Sequence, residues 1–174
     1  MQAAEGNITI NLYGMDYPMK FSNRVYNAFF EKTGKDFNAL GAELFNEWTK
    51  MADLGYFDDD ASLDVASCEA SARFSTVITK VDAAWLFYLC AKEVNSKVEI
   101  GEFEESVTYE LFDELCFKNG VTQKVLGDHV TEGYPVLFLQ IFMFSMNMIE
   151  DPQNIKKNSS NVSFLKKLKS SLWK

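Results

Sequence analysis

Apolar and polar residues alternate near the start of the chain and then recur at helical spacing. Ile8, Ile10 and Leu12 alternate with polar residues, which is the period of a strand that buries one face. A second alternating run follows a turn that contains Gly14, a residue free to adopt positive φ. Residues 7–21 therefore predict a β-hairpin.

A capped helix is predicted directly after this hairpin. Ser22 is a residue type that favours the N-cap, and Gly34 favours the position just past a helix C-terminus. Between them, Val25, Phe29 and Phe30 recur at the spacing of one helical face. We expect the rest of the chain to be organised around this unit of hairpin and helix.

Most of the remaining chain shows helical periodicity. Asp36 is a candidate N-cap for a second helix, and Gly55 ends the apolar repeat of that helix. Gly120 and Gly133 indicate further helix ends in the same way. The predicted helices after the first one are residues 37–52, 63–74, 75–94, 103–117, 122–130 and 134–149.

The predicted helix at 75–94 is apolar on more than one side. Leu86, Phe87 and Cys90 lie beside its main stripe and are apolar too. We therefore expect neighbouring elements to cover this helix on several sides, which makes it the candidate for the central helix of the domain. The main stripe consists of Val77, Val81, Ala84, Trp85, Tyr88 and Leu89.

The most apolar stretch of the sequence is residues 134–149. Pro135 fits the first turn of a helix. The stretch contains Gln140, Ser145 and Asn147, and it is shorter than the roughly 20 apolar residues that a bilayer requires. A buried core helix is the main interpretation, a helix shared with a partner subunit is the alternative, and a membrane span is the least favoured.

Length and composition fit one helical domain followed by a distinct tail. The chain has 174 residues, of which 47% are hydrophobic and 14% aromatic, as in folded globular proteins. Residues 1–151 predict a single domain that is mainly α with an N-terminal β-hairpin, an α+β arrangement. Residues 152–174 predict a flexible linker and a basic amphipathic tail. The apolar face of this tail consists of Phe164, Leu165, Leu168 and Leu172.

The net charge of the chain is unevenly distributed. It is −8 overall, but residues 152–174 contain six lysines and no acid, which leaves −14 on residues 1–151. An acidic body repels phosphate groups, so no nucleic acid partner is predicted. The same charge leaves one alternative function open, an acidic inhibitor or adaptor.

Cysteine usage indicates a reducing compartment. Cys68, Cys90 and Cys116 are odd in number and far apart, which suits reduced thiols in a cytoplasm better than a disulfide framework. The N-terminus lacks the basic and apolar regions of a signal peptide. His129 is the only histidine, which excludes a multi-histidine metal site.

The best metal candidate is the acidic segment from Asp58 to Glu69, counted as a twelve-residue calcium loop. Its glycine position is occupied by Leu63, which disfavours the sharp turn of such loops. An acidic loop that caps the next helix is the main interpretation, and we predict no metal, no cofactor and no catalytic residue. The residues at ligand positions are Asp58, Asp60, Ser62, Asp64 and Glu69.

The N-terminal pattern also carries a family resemblance. The predicted hairpin ends in Lys20-Phe21-Ser22, Arg24 follows, and the helix ends in Glu31-Lys32-Thr33-Gly34. This arrangement resembles the tail assembly chaperones of long-tailed, siphovirus-like bacteriophages, in which such a hairpin and helix precede an all-helical body. The resemblance covers residues 7–34, and the rest of the chain shares only helical character and length.

The resemblance implies a non-catalytic function in virion morphogenesis. Proteins of that family are thought to keep the apolar, helical tape measure protein soluble until tail tube subunits polymerise around it. They act in the cytoplasm of the bacterial host and are absent from the finished virion. The implied partners are therefore the tape measure protein and the tail tube protein, with no membrane, and association into a homo-oligomer is left open. The alternative is an acidic phage-encoded inhibitor or adaptor that binds a host defence protein.

The candidate partner-binding residues are large apolar side chains that could contact such a client. In the body of the chain, the exposed members of one set would form this contact. In the tail, a second set would fold on contact with a partner. The two sets are Phe29, Phe30, Trp48, Trp85, Phe138 and Met143 in the body, and Phe164, Leu168, Leu172 and Trp173 in the tail.

Overall fold

The protein is mainly helical with an N-terminal β-hairpin, as the sequence predicts. This computed structural model describes residues 6–94, 97–100, 103–121, 124–126 and 129–148. The helices in this part of the chain are α1 (Asn23–Thr33), α2 (Phe37–Asp53), α3 (Leu63–Phe74), α4 (Lys80–Val94), α5 (Tyr109–Asn119) and α6 (Tyr134–Ser145). The strands are β1 (Gly6–Leu12), β2 (Met15–Phe21), β3 (Lys97–Ile100), β4 (Phe103–Ser106), β5 (Lys124–Leu126) and β6 (His129–Thr131). They form three separate antiparallel hairpins, β1–β2, β3–β4 and β5–β6.

The N-terminal hairpin has the register that its alternating pattern requires. Ile8 lies opposite Met19 and Ile10 lies opposite Tyr17, so the apolar residues of both strands share one buried face. Tyr13 and Gly14 form the turn, with φ of 53° and 82°. Positive φ at both positions is the signature of the two-residue turn that matches the twist of a hairpin.

Helices α1 and α2 begin at the predicted caps. The Ser22 hydroxyl accepts a hydrogen bond from the Val25 amide at 3.3 Å, and the Asp36 carboxylate accepts one from the Ala39 amide at 2.7 Å. Gly34 ends α1 with φ of 68°, a left-handed conformation that favours glycine. These contacts satisfy backbone groups that helix ends leave without intrahelical partners.

The centre of the core is a set of aromatic rings shared by α1, α2 and α6. Phe37 of α2 lies 5.4 Å from Phe138 of α6 between ring centroids, and Phe29 of α1 lies 6.0 Å from Phe138. Gly41 allows α2 and α6 to approach closely, because a Cβ there would lie 2.1 Å from a ring carbon of Phe142. Helix α6 is buried along almost its whole length, which confirms the interpretation as a core helix.

Helix α6 ends at Ser145, earlier than the predicted end at residue 149. A turn follows, in which Asn147 has φ of 56°. In the part of the chain that the structure describes, no helix combines the length and the apolar composition that a membrane crossing requires.

The segment between α4 and α6 differs most from the prediction. The helix predicted at 75–94 begins only at Lys80, and the one predicted at 103–117 is replaced at its start by β4, which pairs with β3. Thr108 caps α5, so that helix begins at Tyr109. The short helix predicted at 122–130 is wrong: residues 124–126 and 129–131 are the paired strands β5 and β6, and the proposed cap Thr122 lies outside the described residues.

A buried amide joins the N-terminal hairpin to the C-terminal half of the fold. Asn119 is fully buried at the end of α5. Its Oδ1 accepts a hydrogen bond from the backbone N–H of Tyr13, and its Nδ2 donates one to the carbonyl of Glu132. The Tyr134 amide donates to the Gly120 carbonyl at 3.0 Å, which fixes the start of α6 beside it. The sequence indicated only a helix end at this position.

Candidate partner-binding surface

Most of the predicted contact residues in the body of the chain belong to the core. Phe29, Trp48, Phe138 and Met143 are almost completely buried, so in this structure they hold the fold together and present no contact surface. Phe30 is 54% exposed on α1. Trp85 is half-buried on α4. The predicted tail residues Phe164, Leu168, Leu172 and Trp173 lie outside the described residues.

Helices α4 and α5 lie side by side and run in opposite directions. Near the start of α4, the Lys80 ammonium lies 3.4 Å from a carboxylate oxygen of Asp113. Further along α4, the ring of Trp85 stacks on that of Tyr109, at the start of α5, with centroids 4.3 Å apart. Two outer ridges of side chains therefore lie next to each other. We define the α4–α5 surface as Val81, Trp85, Tyr88, Tyr109 and Phe117.

The α4–α5 surface combines the less buried side of α4 with the neighbouring ridge of α5. Phe117 is 72% exposed, and Val81 is exposed at the other ridge. Trp85, Tyr88 and Tyr109 are partly buried and pack against the core edge. Large apolar side chains grouped on one face are typical of surfaces that bind another protein.

Only part of the predicted apolar stripe of α4 is buried in the core. Val77 and Ala84 of that stripe are buried, but Val81, Trp85 and Tyr88 are exposed or half-buried. Helix α4 contacts β2, α1, α5 and α6, which confirms the prediction that several of its sides are covered, and this ridge is the side that stays open. The residues of α4 that reach the core are Ala83, Ala84, Leu86, Phe87, Cys90 and Ala91.

Lysine side chains lie over three rings of the α4–α5 surface. The ammonium of Lys32 lies 5.1 Å from the ring centroid of Trp85, that of Lys92 lies 5.5 Å from Tyr88, and that of Lys80 lies 5.5 Å from Phe117. An exposed contact of this kind contributes about 0.5–1 kcal/mol. Such weak contacts leave the rings partly exposed to water and can be displaced by a partner at low cost.

The titratable groups near this surface favour neutral, inert forms. Burial raises the pKa of the Tyr109 hydroxyl, and the nearby Asp113 carboxylate raises it further, so the hydroxyl stays protonated at neutral pH. Burial also raises the pKa of the Cys90 and Cys116 thiols far above the ordinary value. The thiolate is the nucleophilic form, so these two buried cysteines are poor nucleophiles.

The acidic segment proposed as a calcium loop has other structural functions. The Ser62 hydroxyl accepts a hydrogen bond from the Val65 amide at 3.4 Å and caps α3. The carboxylate of Glu69 accepts one from Arg73 at 2.6 Å. Among the described residues, no group of three or more His, Cys, Asp or Glu side chains is placed to hold a metal ion. His129 lies in β6, and its side chain is not among the described parts.

Phe30 and Trp85 do not form one surface. Phe30 lies two residues before Lys32 on α1, about 200° around the helix, and Lys32 is the residue that covers Trp85. Phe30 is on the same side of α1 as Tyr26, whose hydroxyl donates to the Asp36 carboxylate at 2.5 Å. The predicted contact residues of the body are therefore separated by the structure.

Sequence reasoning missed Phe117 and Tyr109 as members of an exposed face. Their signal is the spacing of Tyr109, Asp113 and Phe117, which recur every four residues along α5. The apolar residues Phe112, Leu115 and Cys116 form the adjoining side of α5 and are buried. Searches of the chain against protein-family models, curated proteins and solved structures find no match.

Proposed function

We propose that the protein is a non-catalytic tail assembly chaperone of the kind found in long-tailed bacteriophages. Two features support this proposal: the N-terminal pattern at 7–34 that resembles this family, and the α4–α5 surface. The observation that carries it is the exposed side of α4 and α5, where Phe117 is 72% exposed beside the stacked pair of Trp85 and Tyr109. This surface suits an apolar helical client such as a tape measure protein.

The client is held along the α4–α5 surface. A helix that presents apolar residues every three or four positions can place them against Trp85, Tyr109 and Phe117 in turn. Each large apolar side chain that becomes fully buried contributes about 1.5–3 kcal/mol. Contacts of this kind depend on apolar area and little on the exact client sequence, which suits a chaperone that coats a long helical protein.

The function of such a complex is to delay aggregation of the client in the host cytoplasm. Covered apolar segments cannot associate with one another until tail tube subunits replace the chaperone. Tube subunits are the second partner in this proposal. No bond is made or broken, and the binding energy alone keeps the client soluble.

The proposal is tested by co-expression with a tagged helical segment of a tape measure protein from a long-tailed bacteriophage. With the wild-type chain, we expect the segment to stay in the soluble fraction and to co-purify at moderate salt. Phe117→Ser should lower the recovered complex about tenfold or more, because a central aromatic contact can contribute 2 kcal/mol or more to an interface.

Leu54→Ser is the matched control for this experiment. Leu54 is also a strongly exposed apolar residue, but it lies at the end of α2, outside the α4–α5 surface. Equal losses for Leu54→Ser and Phe117→Ser would contradict the proposal, as would a client that is never retained. Binding lost steeply as salt rises would instead favour the acidic inhibitor or adaptor.

A further inference from the structure

The pair of helices α2 and α3 exposes apolar side chains at its loop end. Leu54, just after α2, is 64% exposed, and Val65, in the first turn of α3, is 56% exposed. Arg73 of α3 contacts Glu47 of α2 at 3.1 Å, so the two helices run in opposite directions. Leu54 and Val65 therefore lie at about the same level, at the same end of the helix pair.

The same end of the molecule carries a concentration of acidic side chains. Between Met51 and Ala72, the sequence contains six acids and neither lysine nor arginine. Asp53, Asp59 and Asp64 are exposed there. We call this surface the acidic apex, defined by Asp53, Leu54, Asp58, Asp59, Asp60, Asp64 and Val65.

The sequence of the tail has the complementary chemistry. Residues 164–174 read Phe-Leu-Lys-Lys-Leu-Lys-Ser-Ser-Leu-Trp-Lys, with four lysines and no acid. Phe164, Leu168 and Leu172 recur every four residues, so a helical conformation would place them on one side. An acidic surface with exposed apolar residues suits such a basic amphipathic segment.

We propose that the segment 164–174 of this chain docks on the acidic apex of the same molecule. Its apolar side packs against Leu54 and Val65, while Lys166, Lys167 and Lys169 face the carboxylates of the loop. This proposal does not depend on the proposed chaperone function, because it concerns a different surface.

The length of the intervening chain permits this contact. The described part ends at Met148, and residues 149–164 span at most about 55 Å when extended. A folded chain of this size has a radius of gyration of about 15 Å, so the segment can reach any side of the body. Attachment to the same chain makes docking intramolecular, which raises the effective concentration to roughly the millimolar range.

The α4–α5 surface is a poorer place for the same segment. Lys32, Lys80 and Lys92 already lie over its rings. Additional lysines from the tail would meet charges of the same sign there. Charge complementarity therefore selects the acidic apex over the other exposed apolar face.

Carbodiimide cross-linking of the full chain tests the proposal, because this reagent joins lysine ammonium groups only to carboxylates within contact distance. Peptide mass spectrometry should find Lys166, Lys167 or Lys169 joined to the acids of 58–64. In the triple variant Asp59→Asn, Asp60→Asn, Asp64→Asn, the yield of the link to the retained carboxylate of Asp58 should fall about tenfold, since each exposed ion pair contributes a few-fold to docking. The double variant Leu54→Ser, Val65→Ser should also lower the yield, although it retains every charge.

A second triple variant, Glu31→Gln, Glu43→Gln, Glu110→Gln, is the control, because it removes three exposed acids away from the apex. It should leave the yield unchanged. Tail lysines joined equally to acids all over the body would overturn the proposal. A mixture of light and heavy isotope-labelled chains provides the last check: links between differently labelled chains would place the tail on a second copy and overturn docking within one molecule.

Discussion

The aromatic residues of this protein occupy two contrasting environments. Phe37 and Phe138 belong to the set shared by α1, α2 and α6, where each ring is enclosed by other rings and is fully buried. Trp85 and Phe117 belong to the α4–α5 surface, where lysine side chains lie over the rings and water reaches them. The same residue types therefore stabilise the fold on one side of the molecule and remain available to a partner on the other.

The largest expected effect separates these two environments directly. Phe37→Ala should lower the free energy of unfolding by about 3–5 kcal/mol, because it removes a fully buried ring and leaves a cavity. Phe117→Ala should lower it by about 1 kcal/mol or less, because this exposed ring loses only its contact with Lys80. Urea unfolding followed by circular dichroism measures both values. Similar losses for the two variants would break the distinction between core and contact surface.

A smaller effect tests how closely the core helices approach. Gly41→Ala places a Cβ against the ring of Phe142, and we expect a loss of about 1–3 kcal/mol from overpacking, although alanine is the better helix former. Phe142→Leu in the same chain should recover part of that loss, because it removes the clashing ring atoms. Thermal unfolding of the single and double variants checks this. A stabilised Gly41→Ala variant would mean that α2 and α6 are further apart than described.

The smallest expected effect is the pH dependence of the contact between Tyr26 of α1 and Asp36 at the start of α2. The Tyr26 hydroxyl, followed by the Ala39 amide, lowers the pKa of Asp36 below its ordinary value of 3.8. A lowered folded-state pKa contributes stability above the ordinary pKa, and this contribution is lost as pH falls through the folded value. Tyr26→Phe should therefore cost about 0.5–1 kcal/mol at pH 7, given the partial exposure of the pair, and almost nothing at pH 2.

Tyr88→Phe on the α4–α5 surface is the control for this pH dependence. The Tyr88 hydroxyl accepts a hydrogen bond from Lys92 at 3.2 Å, and no carboxylate takes part in that contact. Its effect on unfolding should be the same at pH 7 and pH 2. An equal loss for Tyr26→Phe at both pH values would show that the negative charge of Asp36 adds nothing to this contact.

The sequence predicts the elements that depend on local chemistry. The strand alternation at 7–21, the caps at Ser22 and Asp36 and the stop at Gly34 depend on neighbouring residues, and the structure has all of them. The helix predicted at 122–130 is wrong because Val125 and Val130 fit a strand as well as a short helix. The choice between the two depends on pairing between two segments of the chain.

The α4–α5 surface could not be located from the sequence for a different reason. Periodicity shows which positions of a helix are apolar, but α4 is apolar on several sides, so the pattern does not decide which side is buried. That choice depends on β2, α1, α5 and α6, which contact α4: Leu86 and Phe87 are buried, and Val81 is left exposed. For the same reason, Phe29 and Phe30 are adjacent in sequence and have opposite environments.

Hydroxyl-radical footprinting with and without the tape measure segment tests the central claim most directly, because it reports the exposure of individual side chains. The account predicts that oxidation of Phe117, Trp85 and Tyr109 falls several-fold on addition of the segment, while oxidation of Phe30 and Leu54 stays the same. Protection at Phe30 or Leu54 with Phe117 unchanged, or no protection anywhere, would contradict the assignment of the α4–α5 surface as the place where a partner binds.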